Sequence, residues 1–152
     1  MRLFLLSMIC AFALSLSAAD PPPDLFENPV IRSLFADLLR LGGFGQVNTE
    51  RAAFLVRDAN GEYRCVLWPA TLGFKRERFS GIVPAGTVAL FHTHPNQSPF
   101  GSVSDQRASL ILKVPVFTLT RRSIYVITGR GENIAIVRGR VWATLSPEQR
   151  CQ

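Results

Sequence analysis

Cysteine, internal repetition and long apolar runs are scarce or missing in this sequence. Three cysteines among 152 residues are too few for the four-cysteine ligand sets common in structural metal sites. We find no internal repeat and no low-complexity tract, which excludes a repeat array. The one long apolar run, residues 3–16, falls short of the roughly 20 residues that span a bilayer.

Residues 1–19 are typical of a secretory signal peptide. Arg2 precedes the apolar run and small residues follow it at 17–19, which is the order of a basic, an apolar and a cleavage region. Cys10 lies in the middle of the run after two bulky residues, which argues against lipid attachment. We therefore expect cleavage near Ala19, export to a periplasm or to the medium, and no stable membrane insertion.

The charge balance of the chain is basic. It has 17 Lys and Arg against 11 Asp and Glu, a formal net charge of +6, and loss of Arg2 with the signal peptide leaves +5. Such a balance favours anionic partners. The basic residues are nevertheless scattered, with small clusters only at 75–78 and 121–122. Aromatic residues are not interleaved with them as single-stranded nucleic acid requires, so we expect no nucleic-acid binding.

One domain accounts for the rest of the chain, because a chain of this length supports a single core. Residues 20–27 include three consecutive prolines, which enter neither a helix interior nor a central strand, so this segment is predicted to be a spacer. We place one globular domain at 28–145 and a C-terminal tail at 146–152.

The apolar periodicity of this domain predicts an α/β fold, with a mixed β-sheet flanked by two helices. Asn28 followed by Pro29 is typical of a helix start, and apolar residues recur at helical spacing as far as Leu41. Strand-forming residues on both sides of turn residues at 58–61 predict a hairpin. The predicted elements are helices at about 29–41 and 104–113 and strands at 50–56, 63–68, 87–93, 116–119, 124–127 and 134–137.

Both histidines of the chain lie at the end of the strand predicted at 87–93. His92 and His94 are two residues apart, so their side chains project from the same face of the strand. Two imidazoles on one face can bind one metal ion, and Pro95 ends the strand just beyond them. The His-x-His pattern alone is weak evidence, because a hydrogen-bonded histidine pair has the same spacing.

A serine and a carboxylate follow at the start of the next predicted helix. Ser102 and Asp105 match the capping-box pattern, which explains both residues without a metal. The two interpretations are compatible, because a helix that begins there would also present Asp105 beside His92 and His94. Two imidazoles and one carboxylate leave a fourth position for water, as in catalytic zinc sites.

This segment resembles the signature of the JAB/JAMM zinc metalloproteases. The run His-Thr-His-Pro at 92–95, six further residues, Ser102, two residues and Asp105 match that signature position for position. The resemblance covers roughly residues 50–127. It implies a JAB-like fold and a zinc-dependent hydrolase that cleaves peptide or isopeptide bonds.

The resemblance also implies a role for each site residue. His92, His94 and Asp105 would hold Zn²⁺. Ser102 would donate a hydrogen bond to the developing oxyanion. Glu50, which opens the first predicted strand, would take a proton from the attacking water.

Glu50 has two rivals as the general base. Glu62 lies at the hairpin turn and Glu77 in the charged cluster at 75–78, and an ordinary solvent-exposed position explains both. Glu50 could itself be an exposed charge at a strand end. The assignment of the base therefore depends on the resemblance.

The substrate is expected to differ from that of the ubiquitin-cleaving members of the family, because this chain has little room for the segments that hold a protein substrate. Export and a basic surface favour exported or envelope-derived peptides. Two alternatives stay open. One is a JAB-fold binding module without turnover, and the other is a non-haem iron oxygenase, whose facial triad also has two histidines and a carboxylate.

Cys65 and Cys151 are the cysteines that remain after export. In an oxidising compartment they could form a disulfide that ties the C-terminus to the hairpin. Cys65 could equally be a small buried apolar residue. The oligomeric state is not predicted.

Overall fold

The computed structural model describes residues 25–69, 79–95 and 98–143. The two helices and six strands predicted from periodicity are all present, and their ends differ from the predicted ones by at most two residues, the largest difference being the start of β1 at Ala52 rather than at Glu50. They are α1 (Pro29–Leu41), β1 (Ala52–Arg57), β2 (Tyr63–Leu67), β3 (Thr87–Thr93), α2 (Val103–Leu112), β4 (Val116–Leu119), β5 (Ile124–Ile127) and β6 (Asn133–Val137). The signal peptide, residues 20–24 of the spacer and the tail at 146–152 lie outside the described residues.

The six strands form one sheet in the order β2-β1-β3-β4-β5-β6. Only β3 and β4 are parallel, and the other neighbours are antiparallel. α2 connects the parallel pair, as a crossover between parallel strands requires. The α/β class and the single mixed sheet with its two helices are therefore confirmed.

α1 covers one face of this sheet. Its start follows the predicted chemistry, because the Asn28 side chain accepts a hydrogen bond of 2.9 Å from the Val30 amide and Pro29 occupies the first turn. The helix buries an apolar stripe centred on Phe35, whose ring lies 4.7 Å from that of Phe91 and 5.1 Å from that of Phe117. Burial of each such side chain contributes about 1.5–3 kcal/mol. This face holds the larger core of the described structure.

The packed domain begins before the predicted boundary at residue 28. Leu25 is only 6% exposed and belongs to the larger core. The Phe26 ring lies 6.2 Å from that of Trp142, and the Arg32 guanidinium lies 5.5 Å from the centre of the Phe26 ring. Leu25 and Phe26 are apolar. Trp142, near the other end of the domain, belongs to the same core as Leu25 and packs against Phe26. The end of the predicted spacer is therefore part of the fold.

α2 packs on the opposite face over a smaller core, which is formed by Phe54, Val56, Leu90, Val116 and Ile127. It covers only part of that face. A cleft of about 1030 Å³ opens between α2 and the ends of β1 and β3. Among the described residues, no helix has both the length and the apolar character needed to cross a membrane.

Cys65 on β2 is buried and disulfide-bonded. The other two cysteines of the sequence, Cys10 and Cys151, lie outside the described residues. The bonded state agrees with the predicted bridge, and the pairing of Cys65 with Cys151 stays a prediction.

Candidate metal centre

The alternation of β3 decides which side chains reach the cleft. His92 pairs in register with Ala52 of β1 and with Thr118 of β4, so it lies on the central strand and faces α2. His94 follows the last residue of β3, and its amide donates a 3.0 Å hydrogen bond to the Leu119 carbonyl. That bond extends the parallel pairing by one residue and holds the second histidine beside the first. The two rings are 4.7 Å apart, edge to face.

His92, His94 and Asp105 are positioned to hold a metal ion. Their ligand atoms all lie within 4.8 Å of one another. His92 Nε2 is 3.4 Å from Asp105 Oδ1, and His94 Nε2 is 3.9 Å from Asp105 Oδ2. The sequence placed all three in one site, and the structure brings them together at the C-terminal end of β3 and the N-terminal end of α2.

The His94 ring is oriented by the loop that follows it. Its Nδ1 lies 2.9 Å from the Ser98 carbonyl oxygen. A carbonyl only accepts hydrogen bonds, so Nδ1 carries the proton and the neutral ring keeps the lone pair on Nε2. Metal-binding histidines are commonly held by such a partner on the other ring nitrogen. The nitrogen that faces Asp105 is thus the one able to bind a cation.

Asp105 serves the helix cap and the site at once, and its Oδ2 takes part in both, because it also lies 3.9 Å from His94 Nε2. Its Oδ2 accepts hydrogen bonds from the Ser102 amide at 2.6 Å and from the Ser102 hydroxyl at 2.7 Å. The Ser102 hydroxyl oxygen in turn accepts from the Asp105 amide at 3.3 Å, which completes the capping box. Oδ1 faces His92. The capping and the ligand interpretations of Asp105 are therefore both compatible with one geometry.

Burial controls the ionisation of these groups. It lowers the pKa of His92 to about 4, against a smaller raising effect of Asp105 and a lowering effect of His94. Burial raises the pKa of Asp105, but the His92 charge and the two hydrogen bonds from Ser102 outweigh it and leave that pKa below its ordinary value. At neutral pH the site therefore combines a neutral His92 imidazole with an Asp105 carboxylate, the forms that bind metal ions.

A cation fits the chemistry of this donor set. His92 Nε2 is buried and has no hydrogen-bond partner among the described residues. The nearest charged atom to it in this site is Asp105 Oδ1, an acceptor at 3.4 Å. A buried nitrogen without a partner is costly. A metal ion between Nε2 and Oδ1 would remove that cost.

No family model, no curated protein and no solved structure matches this chain. The likeness of residues 50–127 to the JAB/JAMM signature thus stays a resemblance of motif, and its implications are proposals below.

The loop before α2 is held against the sheet by contacts with β4 and β5. Thr118 on β4 donates a 2.6 Å hydrogen bond to the Pro99 carbonyl. The Phe100 ring packs edge to face on Tyr125, 5.1 Å away. Gly101 approaches Ile127 so closely that a Cβ there would collide with it. These contacts fix the position of the loop, and therefore of Ser102, relative to the sheet.

Glu50 lines the same cleft as the three ligand residues. It is half-buried and lies two residues before β1 rather than on the strand itself. Its rival Glu62 is exposed at the hairpin, where its amide donates to the Asp58 side chain. Glu77 lies outside the described residues. Glu50 is therefore the one predicted base that the described structure brings to the site.

Two features of the site were missed from the sequence. One is Ser98, which acts through its backbone carbonyl and so leaves no signal in residue type. The other is an apolar wall of the cleft that includes Phe54, Trp68 and Leu90. Alternation could have found part of it, because Leu90 precedes His92 by two residues and shares its face. Phe54 is opposite Leu90 in the β1–β3 register.

Proposed function

We propose that this protein is a zinc-dependent hydrolase of peptide or isopeptide bonds that acts on exported or envelope-derived peptides. The observation that carries the proposal is the convergence of His92 Nε2, His94 Nε2 and Asp105 on one point of a cleft that also contains Glu50. A JAMM-type enzyme needs this set of groups, at the spacing that the sequence has.

Zinc is the metal that the ligand set favours for this reaction. Two imidazole nitrogens and one carboxylate oxygen are typical zinc ligands, and three protein ligands leave one position open, as in catalytic sites. Bound there, zinc would supply Lewis acidity, lowering the pKa of a water molecule to about 7 and polarising the amide carbonyl.

The Glu50 carboxylate would act as the general base. It would accept a proton from the attacking water and deliver that proton to the nitrogen of the leaving amine, so that one group serves both proton transfers. Its half-buried place in the cleft supports this role, because a base has to reach the substrate and the water together.

Ser102 is proposed as the donor to the oxyanion that develops on the carbonyl oxygen. Its hydroxyl proton is directed at Asp105 Oδ2 in this structure. One hydroxyl has one proton, so Ser102 would have to turn away from Asp105 when substrate binds. The Ser102 amide, which also donates to Oδ2, would keep the carboxylate in place during that turn.

Metal analysis tests the first half of the proposal. The protein, purified without chelator and supplied with zinc, should contain about one zinc per chain, and His92→Ala or His94→Ala should lose it because three ligands are the minimum for such a site. A chelator should abolish hydrolysis and zinc should restore it. Full zinc occupancy in both variants would refute the site. Activity that depends on iron(II) and oxygen would favour the oxygenase alternative.

Glu50→Gln tests the second half of the proposal, the role of Glu50 as the general base. The variant should keep the fold and the zinc while peptide hydrolysis, followed by mass spectrometry, falls by roughly 10²- to 10⁴-fold, the usual contribution of a general base. Glu62→Gln is the matched control, because Glu62 is exposed at the hairpin and does not line the cleft. Near-normal turnover by Glu50→Gln would assign the base elsewhere. Zinc binding without hydrolysis of any peptide would favour the binding-module alternative.

A further inference from the structure

We infer that the substrate carries a large apolar side chain next to the cleaved bond, and that Phe54, Trp68, Phe79 and Leu112 form the subsite that binds it. This inference rests on the proposed function, because it takes the metal centre as the point of cleavage. It narrows the substrate class to peptides with an aromatic or branched aliphatic residue at that position.

The sheet register places this subsite beside the metal centre. His92 is opposite Ala52, and Leu90 is opposite Phe54, all on the face toward α2. Two residues along a strand span about 7 Å, so Phe54 lies about that far along β1 from the position opposite His92. Ala52, opposite His92, has the smallest side chain of these four and so obstructs the cleft least. Because both halves line one cleft, one substrate would reach both.

Two half-buried aromatic rings, Trp68 and Phe79, build the wall of the second half over the buried ring of Phe54. The Phe54 ring lies 5.5 Å from Trp68 and 4.8 Å from Phe79, and Trp68 lies 5.2 Å from Phe79. Each is at the separation at which aromatic pairs stabilise one another, so the wall is a packed surface. Across from it, α2 contributes Ala108 and Leu112. The cleft of about 1030 Å³ is at the upper end of the range for small-molecule sites.

The charges in the cleft are confined to the metal half. Among its described lining residues the only carboxylates are Glu50 and Asp105, and neither Lys nor Arg is present. The described aromatic half offers no counter-charge to a substrate side chain, and burying an unpaired charge is costly. Phe100 and Ile111 at the cleft are 58% and 77% exposed. The part of the cleft that the structure describes therefore favours an apolar side chain over a charged one.

The test uses two series of peptides that share one cleavable bond. The residue before the bond is varied in one series and the residue after it in the other, as Trp, Phe, Leu, Ala, Asp or Lys. Cleavage by the zinc-loaded protein is followed by mass spectrometry. Affinity is measured by calorimetry on Glu50→Gln with and without zinc, which gives a readout that does not need turnover. In one of the two series, the peptides with Phe or Leu should bind and be cleaved about tenfold or more better than the peptide with Ala. This is the effect of burying a large apolar side chain.

Ala108→Trp should fill the subsite and abolish this preference without loss of zinc. Leu110→Trp is the matched control, because Leu110 is on the same helix, is 54% exposed and does not line the cleft. It should leave the preference unchanged. Leu112→Ala is the second variant, and by widening the subsite it should raise the ratio of Trp- to Leu-containing peptide binding. Circular dichroism and thermal unfolding identify a variant that fails to fold, and Leu112→Ala and the wild-type series then decide.

The outcomes separate this inference from the proposed function. Preferential binding of Phe and Leu peptides without cleavage would support the subsite and refute the hydrolase. Cleavage with equal efficiency for Phe, Ala and Asp in both series would refute the subsite and leave the hydrolase standing. An apolar preference that Ala108→Trp leaves intact would place the subsite elsewhere and overturn the assignment.

Discussion

Asp105 combines two tasks that usually belong to different residues. One carboxylate oxygen caps α2 by accepting two hydrogen bonds from Ser102, and the other faces His92 at 3.4 Å. A negative charge in the first turn is also stabilised by the helix dipole. The end of the helix and the position of the ligand are therefore fixed by the same side chain, and a change at Ser102 affects both.

Ser102→Ala separates the two roles of that serine. Loss of the cap should lower the free energy of unfolding by about 1 kcal/mol, and loss of the hydrogen bond to Asp105 should weaken zinc binding by about 10- to 100-fold. At saturating zinc, kcat should still be about 10²- to 10³-fold below wild type, because an oxyanion donor is missing. Recovery of wild-type kcat at saturating zinc would mean that Ser102 only positions Asp105. The control is Ser104→Ala, on the same helical turn and outside the capping box.

The burial of His92 predicts how the stability of the metal-free protein depends on pH. Its pKa is about 4 in the folded protein against 6.5 ordinarily, so between these values the unfolded chain binds more protons than the folded one. The free energy of unfolding should therefore be highest above pH 6.5 and fall by about 3 kcal/mol as the pH drops to 4. Denaturant titrations at several pH values, with a chelator present, measure this change.

His92→Gln is the control for that titration. The variant should show a flatter pH dependence between 6.5 and 4, because the titrating group is gone. An unchanged slope in the variant would assign the effect to other groups.

At the scale of elements, the loop before α2 can lie close to β5 because Gly101 has no side chain. Gly101→Ala should push the loop away from Ile127, because the added Cβ would collide with the end of that side chain. Overpacking of this kind costs about 1–3 kcal/mol. The displacement should also weaken zinc binding, since Ser102 and Asp105 follow directly. Thermal unfolding and zinc titration measure the two effects.

Ile127→Val supplies the control, because it removes the Cδ1 atom that the new Cβ would meet. Combined with Gly101→Ala, it should restore part of the lost stability and zinc affinity, although alone it costs about 0.5–1.5 kcal/mol. Strict additivity of the two changes would show that the collision is not the cause.

β1, β3 and α1 were predictable because each buries one regular stripe, whereas α2 buries only Ser109 and was predicted from the capping pattern at its start. The strands β1 and β3 alternate between two cores, and the α1 stripe recurs at helical spacing, so local patterns in the sequence carry the information. The parallel pairing of β3 with β4 also follows from the helix between them. The contact of His94 with the Ser98 carbonyl and the place of Phe79 against Phe54 depend instead on how a loop returns to the sheet. No local pattern encodes such a return.

At the scale of the whole molecule, the bonded state of Cys65 leads to a test of the predicted bridge. Disulfides persist in oxidising environments, and export to such an environment stays a prediction from residues 1–19. We expect a Cys65–Cys151 bond, detected as a linked peptide pair in an unreduced digest. Cys151→Ser should lower the free energy of unfolding by roughly 2–5 kcal/mol, and adding Cys65→Ser should lower it little further. Two free thiols in the unreduced, unfolded protein would contradict the bond.

The place of β3 at the centre of the sheet has a consequence for how the site acquires its ion. The amides of Thr93 and His94 donate to carbonyls on both sides of the strand, Arg51 and Leu119. Backbone amides in the centre of a sheet exchange with solvent deuterium only when much of the domain opens. The two histidines are thus preorganised before any ion arrives. Uptake of the ion should then leave the slow exchange of the β3 amides almost unchanged, and the gain in protection should fall on the loop at 98–102.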